Sequence, residues 1–219
     1  ADLITSLHYG AVELGLLDWS GSGAFPTLTG EAAVPREATF PGMPSSLTWT
    51  LGGENVIDSH ATVTDGSTVS YRWRKKTAEN RWLDVPNATG SALTVWELGT
   101  FSCLVSSTIG DKVSSSTSPD CVVTGQDGEP EPLPVLTAPA TNGTYYICTA
   151  DQLKNISKHP FFDYGEGSTL LLANDIDLTG VDWSDARPSL KGVFNGQGHT
   201  VSNLSIQQTG TGTSASTTL

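Results

Sequence analysis

The chain has 219 residues and a formal net charge of −12, with an acidic pI of about 4.5. Such a field repels nucleic-acid phosphates, so DNA and RNA are not expected partners, and an acidic surface is also an ordinary way to keep a secreted protein soluble. No run of about 18 apolar residues is present to span a membrane, and three cysteines without a CxxC pair, with four scattered histidines, argue against structural zinc.

Hydrophobic residues make up 37% of the chain, with 23 glycines and 12 prolines. Short Val/Thr/Ser/Trp runs broken by Gly, Asn, Asp and Pro predict an all-β fold of many short strands. Residues 1–49 form a β-rich segment of undecided arrangement. Ala11–Leu17 with Asp18 and Trp19 read as a strand ending in a Gly/Ser turn at 20–23, and Thr27–Thr29 and Ala38–Phe40 read as short strands between prolines.

Residues 50–125 read as one module of successive strands. A strand is expected at about Ser59–Thr64. Val69 to Arg74 alternates, with Val69, Tyr71 and Trp73 on one face and Ser70, Arg72 and Arg74 on the other. Strands follow at 82–85, at 92–95 and at Thr100–Thr108, where Phe101, Cys103 and Val105 share a face; a turn at Gly110 and Asp111 returns the chain. Trp73 is expected in the core beside Cys103. The basic run Arg72, Arg74, Lys75, Lys76 and Arg81 stands out in an acidic chain as a candidate surface for an acidic glycan or a protein partner; a merely solvated face is the plainer alternative.

Residues 126–140 hold four prolines and three acids, the composition of a stiff, extended linker with few buried contacts. Residues 141–208 follow. Thr149 with Gln152 forms a capping-box pattern, so a short helix is expected over about Thr149–Ser157. Ser168–Ala173 and Asp175–Leu178 read as strands. Gly196 and Gly198 supply tight turns before the alternating run Thr200–Ile206, and residues 209–219 read as a flexible tail with little to bury. Asp175 and Asp177 lie on one side of their strand, where calcium is a candidate ligand; the alternative is that both face solvent while Ile176 and Leu178 point inward. Asp182 and Asp185 extend the acidic cluster. No nucleophile or phosphate-loop pattern is present, so no catalytic residue is expected, and no cofactor beyond the candidate calcium. Trp19, Trp82, Trp96 and Trp183 are sugar-stacking candidates where exposed and core residues otherwise.

Two stretches resemble known families. The strand ending at Trp73, the run Ala88–Val95 and Gly99-Thr100-Phe101-Ser102-Cys103 resemble bacterial immunoglobulin-like domains, which implies a β-sandwich over 50–125. Phe101 stands where the family carries a corner tyrosine. The upstream strand has no cysteine for the usual inter-sheet disulfide, so the candidate pair becomes Cys103 with Cys121 if both face the core across a hairpin. Tyr145 to Ile156, the Asp175–Leu178 strand, Trp183 and Leu190 to Leu204 resemble the start of the right-handed β-helix found in bacterial surface proteins with GLUG-type repeats. Leu190 replaces the common Phe and Asn195 the common Asp. The likeness implies a helix-capped short solenoid, with His199 part of the repeat framework. A groove like that of polysaccharide lyases, with Arg187 or Lys191 as base, would need more coils than the chain offers.

Together these readings predict a non-catalytic, extracellular, adhesin-like module of a bacterial cell-surface protein. It would be a fragment or a short relative, with its secretion signal removed or outside the chain. The expected partner is a protein or glycan on a host or neighbouring cell. The competing expectation is an accessory region of a large secreted enzyme whose catalytic domain lies elsewhere.

Overall fold

A computed structural model describes residues 18–20, 27–29, 34–137, 143–156, 168–183 and 192–205. The expected strand at Ala11–Leu17 and the tail at 209–219 lie outside them, as do Asp185, Arg187 and Lys191. The described residues are mostly strand, with one short helix.

Near the N-terminus, β1 (Asp18–Ser20) and β2 (Thr27–Thr29) pair as an antiparallel hairpin. The next group comprises β3 (Ser46–Trp49), β4 (Val56–Asp58), β5 (Thr68–Lys76), β6 (Trp82–Asp84), β7 (Ala92–Thr94), β8 (Gly99–Ile109), β9 (Lys112–Thr117) and β10 (Cys121–Gly125). One sheet runs in the order β3-β10-β8-β5-β6, and β4 pairs with β7 in a separate two-stranded sheet. β9 and β10 share one edge of β8. They are separated by a break at Ser118, which exchanges main-chain and side-chain hydrogen bonds with Cys103.

Alternation explains which residues meet between these sheets. Trp73 lies opposite Cys103 in the β5–β8 register, and both are fully buried. Trp49, Ile57, Leu93, Val105 and Val123 complete that core. Trp73 also satisfies its ring N–H, which donates to the Gly90 carbonyl at 3.0 Å.

The strand upstream of β5 falls at Val56–Asp58, earlier than the expected Ser59–Thr64. Asp58 accepts the His60 amide, and His60 takes a positive φ of 45°, which ends the strand; Thr62 keeps only an isolated bridge to Thr39.

The second group is parallel. β11 (Glu131–Pro132), β12 (Thr144–Ile147), β13 (Thr169–Leu172) and β15 (Val193–Asn195) form one ladder, and β14 (Ile176–Asp177) pairs with β16 (Val201–Ser202) in another. Thr144 lies opposite Thr169, Thr169 opposite Val193, and Ile176 opposite Val201, so strands recur every 24–25 residues. Ile147, Leu170, Leu172, Ile176, Leu178 and Trp183 fill the core behind these ladders.

The helix α1 (Ala150–Asn155) forms where the capping box predicts it, with Thr149 as N-cap. At the turn before β16, Gln197 and Gly198 both have positive φ, and the His199 amide closes on the Gly196 carbonyl at 2.8 Å. Gly198 is thus the residue whose conformation calls for glycine. At Gly196 an added Cβ would make only ordinary contact.

Residues 126–137 depart from the expected stiff, extended linker in that part of them has buried contacts. Residues 126–129 and Glu131 are exposed; Pro132 and Leu133 are buried, and Leu133 packs into the second core. Parallel pairing with β12 gives Glu131 and Pro132 a place in the ladder, because proline at a sheet edge forfeits no donor the ladder needs.

Candidate functional site

The place where the two groups of strands meet is built from buried polar side chains. Gln152 is fully buried on α1. Its carbonyl oxygen accepts the amides of Cys148 at 2.6 Å and Thr149 at 3.0 Å, and its amide nitrogen donates to the carbonyls of Trp96 and Leu133, each at 2.8 Å. One side chain therefore satisfies main-chain groups from the first group, the Pro-rich segment and the second group. Trp49 stacks near Tyr146 across the same junction, with ring centroids 6.3 Å apart.

Lys75 and Glu97 form a second clamp. Lys75 follows Trp73 by two residues, so strand alternation turns it inward, and it is only 3% exposed. Its ammonium sits 2.6 Å from Glu97 and donates to Thr137 at 3.1 Å. Glu97 in turn accepts the amides of Val135 and Leu136. A Cβ at Gly99 would lie 2.9 Å from the Lys75 side chain, so the glycine makes room for the buried lysine.

Beside this junction lies a cavity of about 400 Å3. It opens between the 85–90 segment, β7 and the half-buried Val135 and Leu136 of the Pro-rich stretch, with Ala88, Leu93, Val95, Phe101 and Val135 among its mostly apolar walls. Trp96, 41% exposed, stands on its wall, and among the described residues Glu97 and Asp151 are its charged lining residues. Its volume and its position between two structural units are those of ordinary ligand pockets.

The predicted basic surface is split by the fold. Lys75 leaves it for the core, which removes it as a surface ligand. Arg72 pairs loosely with Asp84 at 3.4 Å, both well exposed. Arg74 and Lys76 both lie over the Trp82 ring, at 5.3 and 5.4 Å, and Lys76 also pairs with Asp120. Arg81 is exposed in the β5–β6 turn. Trp82 is accordingly covered by cations, and Trp183 is buried; among the described tryptophan side chains, only Trp96 is both exposed and beside a cavity.

Asp175 and Asp177 are exposed, while Ile176 and Leu178 are buried. Asp175 accepts the Thr200 amide at 2.9 Å and faces His199 at 3.3 Å; Asp177 accepts from Asn203 and from Thr179, each at 2.8 Å. The two carboxylates bracket the chain one coil later. These hydrogen bonds hold both acids below the usual carboxylate range, led by the Thr200 amide for Asp175 and the Asn203 side chain for Asp177. Among the described residues no three His, Cys, Asp or Glu side chains converge as a metal site.

Cys103, Cys121 and Cys148 are buried free thiols. Cys121 lies opposite Phe101 rather than Cys103, which makes the two cysteines diagonal neighbours. Diagonal residues on adjacent strands sit beyond the Cα separation a disulfide bridges, so the candidate bond is not formed. Burial pushes Cys103 to about 11 and Cys148 to about 12.

Glu97, Gln152 as a junction residue, and the cavity were not read from the sequence. The parity of Lys75 with Trp73 was the available signal that Lys75 turns inward, and it does not point to Glu97. No family model matches the chain, and comparison with curated proteins gives no match.

Proposed function

We propose that the chain is a non-catalytic binding and spacing segment of an extracellular protein on a bacterial cell surface. In this reading an immunoglobulin-like sandwich is followed by the first coils of a GLUG-type right-handed β-helix, and the partner is a protein or glycan on a host or neighbouring cell. The strand order β3-β10-β8-β5-β6, with β4 and β7 apart, supports the sandwich assignment. Parallel strands recurring every 24–25 residues support the coil assignment.

The observation that carries the role is the junction. Buried Gln152 and the buried Lys75–Glu97 pair tie main-chain groups of both halves together. A spacer needs that property if it is to hold a binding surface at a fixed distance and angle. A flexible tether would need the reverse.

The test is labelling of intact, unpermeabilised cells of the source organism with antibodies against residues 34–205, followed by brief protease treatment. Labelling that protease removes is the expected result. Labelling that appears only after permeabilisation overturns the surface role.

A further inference from the structure

The main-chain pairing of β7 leaves one of its edges open. Ser59 donates to the Ser91 carbonyl, and Val95 donates to the Asn55 carbonyl. In an antiparallel pair, residues exchanging hydrogen bonds alternate with residues that do not. Leu93 therefore turns its N–H and C=O toward Ile57 of β4, whereas Ala92 and Thr94 aim theirs away from β4. Among the described residues no strand pairs with that second edge. A free strand edge is a template for another strand unless it is blocked; β7 is short, at three residues, but carries no proline, lysine or bulge.

The cavity lies along this edge. Ala92, Leu93, Thr94 and Val95 all contribute to its wall, and the 85–90 segment forms the opposite side. That segment is held back by its own bonds to β5, from Trp73 to the Ala88 carbonyl and from Val85 to the Trp73 carbonyl. The result is an open main-chain ladder beside a mostly apolar hole of about 400 Å3.

We propose that this edge binds an extended segment of a partner protein by strand addition to β7. A large apolar side chain of that segment enters the cavity, and a neighbouring lysine or arginine meets Asp151 on its rim. Main-chain bonds to Ala92 and Thr94 give affinity, and the cavity gives side-chain selection, the division of labour of strand-addition sites. The choice of a basic segment follows from charge. Among the described wall residues Glu97 is buried and neutralised by Lys75, which leaves the exposed Asp151 as the one uncompensated charge, and the whole chain carries −12. The inference rests on the binding role proposed above only in requiring a partner. Its test does not involve cell location, so either can fail alone.

The probe is a fluorescein-labelled peptide, GKVKLKVG, read by anisotropy against the full chain, with GEVELEVG as the acidic counterpart. Saturable binding of the basic peptide, at least tenfold tighter than the acidic one, is expected. Hydrogen exchange gives a readout independent of any variant: the amides of Ala92 and Thr94 should exchange fast in the free protein and be slowed at least tenfold with peptide bound. Thr94→Pro removes an outward N–H that β4 does not use, and should weaken binding at least tenfold. If that variant unfolds, the exchange result decides. Equal binding of both peptides, binding without protection of Ala92 and Thr94, or no saturable binding overturns the proposal. So does concentration-dependent dimerisation that protects the same two amides, which would make a second copy the occupant.

Discussion

The side-chain amide of Gln152 donates to the main-chain carbonyl of Trp96, 56 residues earlier in the chain. The same amide caps Leu133, and the carbonyl at its other end caps two amides at the start of α1. Gln152→Ala leaves all four main-chain groups without that partner. Each buried polar group left unpaired costs about 1–3 kcal/mol; with water reaching some of them, the expected loss is about 3 kcal/mol. Urea unfolding of the variant should show it. Loss below about 1 kcal/mol would mean that the junction is wet and loose.

Trp73→Ala removes the largest fully buried side chain of the first core. Truncating a core aromatic costs about 3–5 kcal/mol, a large part of the stability of a domain of this size. Arg72→Ala touches only an exposed pair and should change stability by less than about 0.5 kcal/mol. Thermal melting of the two variants side by side checks the contrast.

Lys75→Met should destabilise by about 3–5 kcal/mol, because it strands the buried Glu97 carboxylate. Adding Glu97→Gln should recover part of the loss, since a neutral amide oxygen can still accept from Val135 and Leu136. A double-mutant cycle by chemical denaturation measures the coupling. Additive losses would show that the two side chains act independently.

The thiols and the surface acids give opposite pH signatures. Cys148 and Cys103 have folded values raised to about 12 and about 11, above the ordinary 9.0. Their contribution to stability is complete below pH 9 and is lost as pH rises through the folded values. Native protein should accordingly leave all three thiols unreactive toward a disulfide reagent at pH 8, with three equivalents released on unfolding. Asp175 and Asp177 are lowered below 3.8, so their contribution is present above that value and is lost as pH falls through the folded ones. Carboxyl titrations followed by NMR should have midpoints below 3.8, with the Thr200 amide tracking Asp175. A midpoint at or above 3.8 would show that the bond between coils is absent in solution.

Limited proteolysis should cut the Pro-rich stretch within 126–129 and spare 131–137. The first is exposed turn, and the second is strand and partly buried chain bonded to Glu97. Early cuts between Leu133 and Thr137 would show that the junction opens readily.

Strand alternation alone located Trp73, Phe101, Cys103 and Val105 in the core, and a capping box alone placed α1. Those signals are local, and the structure follows them. Lys75 was misjudged because its charge outweighed its position two residues after Trp73. Nothing in β5 itself reveals that Glu97, 22 residues on, waits to neutralise it. The composition of 126–140 suggested a free linker, since proline is poor in a sheet interior. It does not exclude proline from an edge, and Pro132 sits at one. Gln152 was legible as a cap, but its bonds to Trp96 and Leu133 depend on how distant segments pack. Among the described residues β7 has no neighbour strand on the side of the cavity, which no residue of β7 announces.

The 24–25-residue recurrence of β12, β13 and β15 sets a rule for how this half of the molecule can change length. Neighbouring strands lie about 4.8 Å apart, so lengthening by that small step takes one whole coil. A single residue inserted within β13 would turn Leu170 and Leu172 outward, because side chains alternate with a period of two. Insertions and deletions are therefore quantised here: a full coil slides the stack along its axis and keeps every inward residue inward, whereas any fraction of one inside a strand must be absorbed in the loops between them.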